Sequence, residues 1–119
     1  MIDHLNDKYG IDNTLKFSTG SGGLPQVCIS NDYATAVIYL HGAQVLSFIP
    51  HNQDDLLWVS EKSLFMSNKA IRGGIPICWP WFNAHPADST KPSHGFARLS
   101  EWDISSTKNI PSGATEISF

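Results

Sequence analysis

The 119-residue sequence lacks the features that mark several classes of protein. Lysines and arginines number 8 against 11 aspartates and glutamates, so the net charge is −3 and there is no basic excess for binding nucleic acid. No apolar run approaches the ~18 residues that a membrane-spanning helix needs. The N-terminus is polar and lacks the apolar core of a secretory signal. We therefore expect a cytoplasmic protein with neither nucleic-acid nor membrane partners.

Cysteine is scarce, and its two positions do not indicate a metal site. Cys28 and Cys78 lie in apolar, strand-like contexts, and neither has a second ligand at a close spacing. His85 and His94 are nine residues apart with prolines between them, which matches no common zinc arrangement. We expect two buried thiols in a reducing compartment and no bound metal.

Helix-period segments of ten or more residues are also missing, which predicts a mainly β chain. Residues 1–23 form a polar lead-in that is either flexible or packed along a sheet, and residues 24–119 form a β domain. The dozen-residue spacing of the later strands is typical of an antiparallel β-sandwich. Strands are predicted where β-branched and aromatic residues alternate, over residues 26–30, 34–40, 43–49, 56–60, 101–105 and 115–119.

The C-terminal end falls inside an alternating strand pattern, without a closing turn. A sheet ending there would present an unpaired edge, which natural domains usually cover. We expect the chain to be an incomplete, N-terminal portion of a longer sandwich. We also expect it to self-associate through unpaired strand edges.

The most unusual stretch, Ala70–Arg98, concentrates arginine, histidine, tryptophan, proline and glycine. Arg72 precedes two glycines, where no Cβ would hinder the approach of an anion, and Ile71 and Ile75 are expected to be buried beside it. A surface arginine paired with a carboxylate is the alternative. We interpret the stretch as half of a site for a small, anionic, hydroxylated ligand.

Two groups of residues in this stretch are spaced for a common face. If the segment is extended, His94, Phe96 and Arg98 point to one side and could line a sugar site, unless Phe96 points into the core. Trp79 and Trp81 are either core packing or a platform for the apolar face of a sugar ring. No carboxylate near His94 has the apolar setting of a catalytic acid or base, so this stretch predicts binding without its own acid–base pair.

The runs GAQVLSF, DLLWVS, AIRGGIPICWPWF and HGFAR, followed by a tryptophan, resemble the aldose 1-epimerase superfamily. They are most similar to its hexose-6-phosphate mutarotase branch (glucose-6-phosphate 1-epimerase type) over roughly residues 34–119. The resemblance implies a galactose mutarotase-like β-sandwich of about twice this length or more. It also implies an enzyme that interconverts the α and β anomers of a sugar without a cofactor.

The resemblance also implies roles for single residues. The principal histidine and glutamate of the family belong to its later half, which has no counterpart here. His94 resembles an earlier family histidine that contacts the sugar ring and assists. Arg72 and Arg98 resemble the phosphate-site arginines, and Ser93 stands where relatives often have glutamine. Trp81 completes the expected substrate-binding set, for a small-molecule hexose phosphate. A non-catalytic sugar-phosphate-binding module and a purely structural fragment remain the alternatives.

Overall fold

The computed structural model describes all 119 residues and shows a mainly β chain. Four consecutive strands form one antiparallel sheet in the order β1-β2-β3-β4, and the last two form a separate antiparallel hairpin. This confirms the predicted class. None of the helices has the length and apolar character needed to cross a membrane. The elements are α1 (Ile2–Tyr9), β1 (Leu15–Thr19), β2 (Pro25–Ser30), β3 (Ala34–Tyr39), β4 (Gln44–Pro50), β5 (Ser106–Asn109) and β6 (Thr115–Ser118), with 3-10 turns at Ser21–Gly23 and Ala97–Leu99.

The two faces of the four-stranded sheet pack against different parts of the chain. Alternation along each strand sends every second residue to the same face. Ile117 and Phe119 pack on one face, so the β5–β6 hairpin supplies part of a second layer. The opposite face packs Tyr39 and Leu46 against Ile71. The larger cluster consists of Leu15, Phe17, Val27, Ile29, Ile38, Leu40 and Ile104.

Residues 1–23, for which the sequence left both a flexible and a packed arrangement open, contain α1 and β1. Leu15 is 3% exposed and Phe17 is fully buried. Both face the larger cluster because β1 pairs with β2 along its whole length, from Leu15 opposite Ile29 to Thr19 opposite Pro25. This segment therefore supplies one strand of the sheet.

Two of the predicted strands are wrong. Residues 56–60 form a loop, because the Asp55 carboxylate accepts the backbone N–H groups of Phe48 (3.1 Å) and Leu57 (2.9 Å) and bends the chain there. Residues 101–105 precede β5, which begins only at Ser106, opposite Ser118. Between β4 and β5 the chain forms no further strand, only isolated bridges and the 3-10 turn at Ala97–Leu99.

Both edges of the four-stranded sheet are covered. On the β1 side, the Asn6 side chain accepts the N–H of Phe17 (2.7 Å) and donates to its carbonyl (2.9 Å). On the β4 side, Val45 accepts the N–H of Ile75 (2.9 Å), and the carbonyl of Phe48 also accepts a backbone N–H. Self-association through strand edges stays a prediction. The strand edges available for it are the outer edges of β5 and β6 in the hairpin.

Candidate functional site

The candidate site begins where residues 79–83 lie against residues 92–98. The carbonyl of Trp79 accepts the N–H groups of Phe96 (3.0 Å) and Ala97 (3.1 Å). A Cβ on Gly95 would lie 2.0 Å from the oxygen of Trp79, so this close approach requires glycine. The contact brings four predicted site residues into one layer, which we call the loop cluster: Trp81, Ser93, His94 and Arg98.

Trp81 and Arg98 both hold the segment that leads into His94. The indole N–H of Trp81 donates to the carbonyl of Pro92 (2.8 Å), and Nη2 of Arg98 donates to the carbonyl of Ser93 (3.1 Å). Ser93 therefore contacts the arginine through its backbone. The Nε of Arg98 is buried and has no partner. The guanidinium is thus anchored at one nitrogen and keeps unused donors.

His94 is held by two hydrogen bonds to Asn83. Its N–H donates to the carbonyl of Asn83 (2.9 Å), and its Nδ1 accepts the N–H of Asn83 (2.9 Å). Because Nδ1 is an acceptor here, the neutral ring carries its proton on Nε2. Nε2 has no partner within the chain. The imidazole therefore offers one fixed N–H donor.

The prediction that His94, Phe96 and Arg98 share one face of an extended strand is wrong. His94 and Gly95 both have left-handed backbones (φ 64° and 72°), and residues 97–99 form a 3-10 turn. Phe96 is 48% exposed instead of entering the core. Its ring lies edge-on to those of Trp79 (centroids 6.1 Å apart) and Trp81 (6.0 Å). The loop fold, and not strand alternation, assembles the cluster.

Arg72 is exposed at its side chain and fixed at its backbone. Its N–H donates to the hydroxyl of Ser63 (3.1 Å), and its carbonyl accepts from that hydroxyl (2.9 Å) and from the N–H of Ser60 (2.8 Å). Ile71 is buried as expected, but Ile75 is 54% exposed, so that expectation is wrong.

The two glycines after Arg72 serve the packing of the chain on itself. A Cβ on Gly73 would lie 2.4 Å from the oxygen of Trp58. A Cβ on Gly74 would lie 2.1 Å from the oxygen of Val45. The space that the sequence suggested for an approaching anion is therefore filled by backbone, and any anion must approach from the guanidinium side.

Neither arginine is neutralised by a carboxylate. The one ion pair in the chain joins Lys108 and Glu116 (3.5 Å), far along the sequence in the β5–β6 hairpin. Asp88 lies in the loop between Trp81 and Ser93, and hydrogen bonds from the hydroxyl and N–H of Thr90 lower the pKa of its carboxyl. Asp88 is thus held in the ionised form and is unsuited to act as a general acid.

No group of three or more His, Cys, Asp or Glu side chains lies close enough to hold a metal ion.

The sequence interpretation missed two buried polar residues of the β3–β4 turn, His41 (3% exposed) and Gln44 (0%). His41 contacts the carbonyl of Lys69, and Gln44 donates to the carbonyls of Ile71 and Gly73. Gln44 was visible within the run GAQVLSF as an uncharged polar residue entering an apolar strand. A buried polar side chain at such a position needs hydrogen-bond partners, and this requirement could have identified Gln44 from the sequence.

The chain is similar to known proteins over most of its length. Residues 25–119 match the family model described as aldose 1-epimerase. A candidate glucose-6-phosphate 1-epimerase of Escherichia coli (strain K12) is 39% identical over 83 residues, which cover 70% of this chain and 28% of that protein. A candidate glucose-6-phosphate 1-epimerase of Cenchrus ciliaris is 49% identical over 69 residues, covering 58% of this chain and 20% of that protein.

Two solved structures share the fold. The structure of a candidate mutarotase, YeaD, from Salmonella typhimurium superimposes with a TM-score of 0.78 at 31% identity, covering 92% of this chain and 38% of that one. The structure of HI1317 gives a TM-score of 0.73 at 36% identity, covering 82% and 35%. The chain thus spans about a quarter of the length of the curated relatives. The strands, the loop cluster and the match over residues 25–119 together establish that the chain belongs to the aldose 1-epimerase family.

Proposed function

We propose that this chain supplies part of the sugar-phosphate site of an enzyme that interconverts the α and β anomers of a hexose 6-phosphate. The observation that carries the proposal is that Arg72 and Arg98 have no carboxylate partner, while His94 beside Arg98 keeps a free Nε2–H donor. The names of the relatives from E. coli and C. ciliaris support the choice of a phosphorylated sugar.

Each residue has a distinct part in the proposal. Arg72 and Arg98 bind the phosphate, and a charged hydrogen bond of this kind contributes ~1.5–3 kcal/mol. His94 donates its Nε2 proton in a hydrogen bond to a sugar oxygen and assists the reaction. Trp81 presents its ring to the apolar face of the sugar, since its indole N–H is already occupied by Pro92.

Mutarotation needs only proton transfers, so no cofactor enters the proposal. A base removes the proton of the anomeric hydroxyl, the bond between the anomeric carbon and the ring oxygen breaks, and an acid protonates the ring oxygen. Reclosure on the other face of the aldehyde gives the second anomer. No carboxylate contacts His94 or Arg98, so we propose that the principal histidine–glutamate pair comes from outside these 119 residues and that they are inactive alone.

A chimera tests this function. The 119 residues replace the matching part of the E. coli relative, and exchange NMR measures the rate of anomer interconversion of glucose 6-phosphate. We expect activity in the chimera, and a raised KM for glucose 6-phosphate after Arg72→Ala. If the unsubstituted chimera acts equally well on free glucose and on glucose 6-phosphate, or if Arg72→Ala leaves its KM for glucose 6-phosphate unchanged, the phosphate assignment fails.

The second candidate is a sugar-phosphate-binding module without catalysis. It is favoured by the lack of any carboxylate in contact with the loop cluster. NMR titration of the 119-residue chain with glucose 6-phosphate distinguishes the two. Shifts at His94 and Arg98, together with an inactive chimera, would favour the module.

The compartment is proposed on separate grounds. Cys28 and Cys78 are both free thiols, as expected of a protein kept in a reducing environment. Both are only half-buried, so the prediction that they are buried is wrong. We propose the cytoplasm, and labelling of both thiols in freshly lysed cells with a maleimide is the check. Oxidised cysteines in the native protein would argue against it.

A further inference from the structure

The β3–β4 turn, taken here as His41–Gln44 and so including the first residue of β4, joins the two segments that carry the arginines. On one side it holds the Arg72 segment. Nε2 of Gln44 donates to the carbonyls of Ile71 (3.1 Å) and Gly73 (2.7 Å), which flank Arg72 directly. Nε2 of His41 lies 2.7 Å from the carbonyl of Lys69, three residues before Arg72. Three carbonyls around one arginine are therefore bonded to one turn.

On its other side the same turn holds the Arg98 segment. The N–H of Gly42 donates to the carbonyl of Ser100 (2.6 Å), and His41 forms an isolated antiparallel bridge with Glu101. A Cβ on Gly42, whose φ is 75°, would lie 3.0 Å from the oxygen and 3.1 Å from the Cα of Arg98. The backbone of Arg98 thus packs directly on the turn.

The two side-chain atoms that are buried without a partner belong to this assembly. They are Oε1 of Gln44 and Nε of Arg98. The Cβ position of Gly42 is 3.3 Å from Oε1 of Gln44 and 3.1 Å from the Cα of Arg98, so the amide and the Arg98 backbone meet on the same side of the turn. Buried polar atoms without partners are rare because they destabilise a fold. The Gln44 amide therefore has a role other than stability, which we assign to the positioning of its neighbours.

We infer that Gln44 is a positioning residue, which sets the Arg72 backbone against that of Arg98 so that both guanidinium groups reach one phosphate. The inference rests on the proposed function, because only a shared phosphate requires the two arginines to be placed relative to each other. No side-chain contact joins Arg72 to the loop cluster directly, and the β3–β4 turn supplies the connection.

A double-mutant cycle on the 119-residue chain tests the inference, with glucose 6-phosphate affinity measured by NMR titration. Gln44→Met keeps the side-chain volume and removes both donated hydrogen bonds. We expect it to weaken binding by about tenfold, the equivalent of one charged hydrogen bond. In an Arg72→Ala background, the same change should weaken binding by less than about twofold, since the arginine that Gln44 positions is gone.

The matched control is Gln26→Met, which makes the same chemical change in the same sheet. Gln26 donates to the hydroxyl of Ser18 (3.2 Å), away from both arginine segments. We expect its affinity for glucose 6-phosphate to equal that of the unsubstituted chain. If Gln44→Met does not fold, Gln44→Asn, which keeps the amide but shortens the side chain by one methylene, takes its place in the cycle.

The outcomes separate the inference from the function on which it rests. Equal losses from Gln44→Met with and without Arg72 would overturn the positioning role and leave the phosphate site intact. Unchanged affinity in a folded Gln44→Met chain would do the same. Failure of the unsubstituted 119-residue chain to bind glucose 6-phosphate would overturn the positioning role. Activity of the chimera would in that case still uphold the proposed function.

Discussion

Gly74 offers a quantitative test of how the Arg72 segment is packed. Its φ is 63°, and a Cβ there would lie 2.1 Å from the oxygen of Val45 and 3.0 Å from the Cα of Leu46. In Gly74→Ala, the left-handed backbone costs about 1 kcal/mol. The chain must also move away from β4, which breaks the hydrogen bonds Gly74 N–H to Trp58 O (2.8 Å) and Ile75 N–H to Val45 O (2.9 Å).

Each of these hydrogen bonds contributes about 1 kcal/mol, so the free energy of unfolding should fall by about 3 kcal/mol in total. For a domain of this size, that corresponds to a decrease in melting temperature of roughly 10 °C. Thermal unfolding followed by circular dichroism measures it. The matched control is Gly23→Ala, because Gly23 also has a positive φ (77°) but nothing lies within 4 Å of its Cβ position.

Gly23→Ala should therefore show the backbone cost alone, about 1 kcal/mol, or roughly 4 °C. The difference between the two variants isolates the clash with β4. Equal decreases in melting temperature would refute the reasoning, since they would show that the Arg72 segment has room to move. A larger loss for Gly23→Ala would refute it as well.

The remaining predictions concern three other positions. Hydrogen bonds from the Ser47 hydroxyl and from the N–H groups of Leu57 and Phe48 lower the pKa of Asp55. Because the folded-state pKa is below the unfolded one, the stabilisation is present above the unfolded value and should disappear as the pH falls below about 4. Melting curves between acid and neutral pH should show that Asp55→Asn loses this dependence, and an unchanged pH profile would contradict it. Asn6→Ala should uncover β1 and increase self-association in sedimentation experiments, with the exposed Asp7→Ala as control; equal sedimentation of both variants would count against the edge cap. Finally, ¹⁵N NMR of neutral His94 should show the proton on Nε2, and a proton on Nδ1 would exclude the Asn83 contact.

The mainly β class, the strands from β2 to β4 and the start of β6 could be predicted from sequence because strand alternation is local. Turn residues such as Asn31 and Gly42 bound these strands and mark where each ends. The resemblance motifs likewise indicate Arg72, His94 and Arg98 as candidate site residues from the sequence alone. These features depend on residues close together in the chain, where spacing and composition carry enough information.

The site itself was decided by tertiary structure. His94 and Arg98 do not share a strand face, because left-handed residues and a 3-10 turn replace the expected extended segment. The glycines after Arg72 accommodate β4 and the 56–60 loop that follows it, which only long-range packing reveals. Gln44, 27 residues from Ile71 in sequence, contacts it only after the sheet has formed. Alternation predicts which face a side chain takes, but contacts between distant segments depend on how loops cross the sheet, and no local pattern records that.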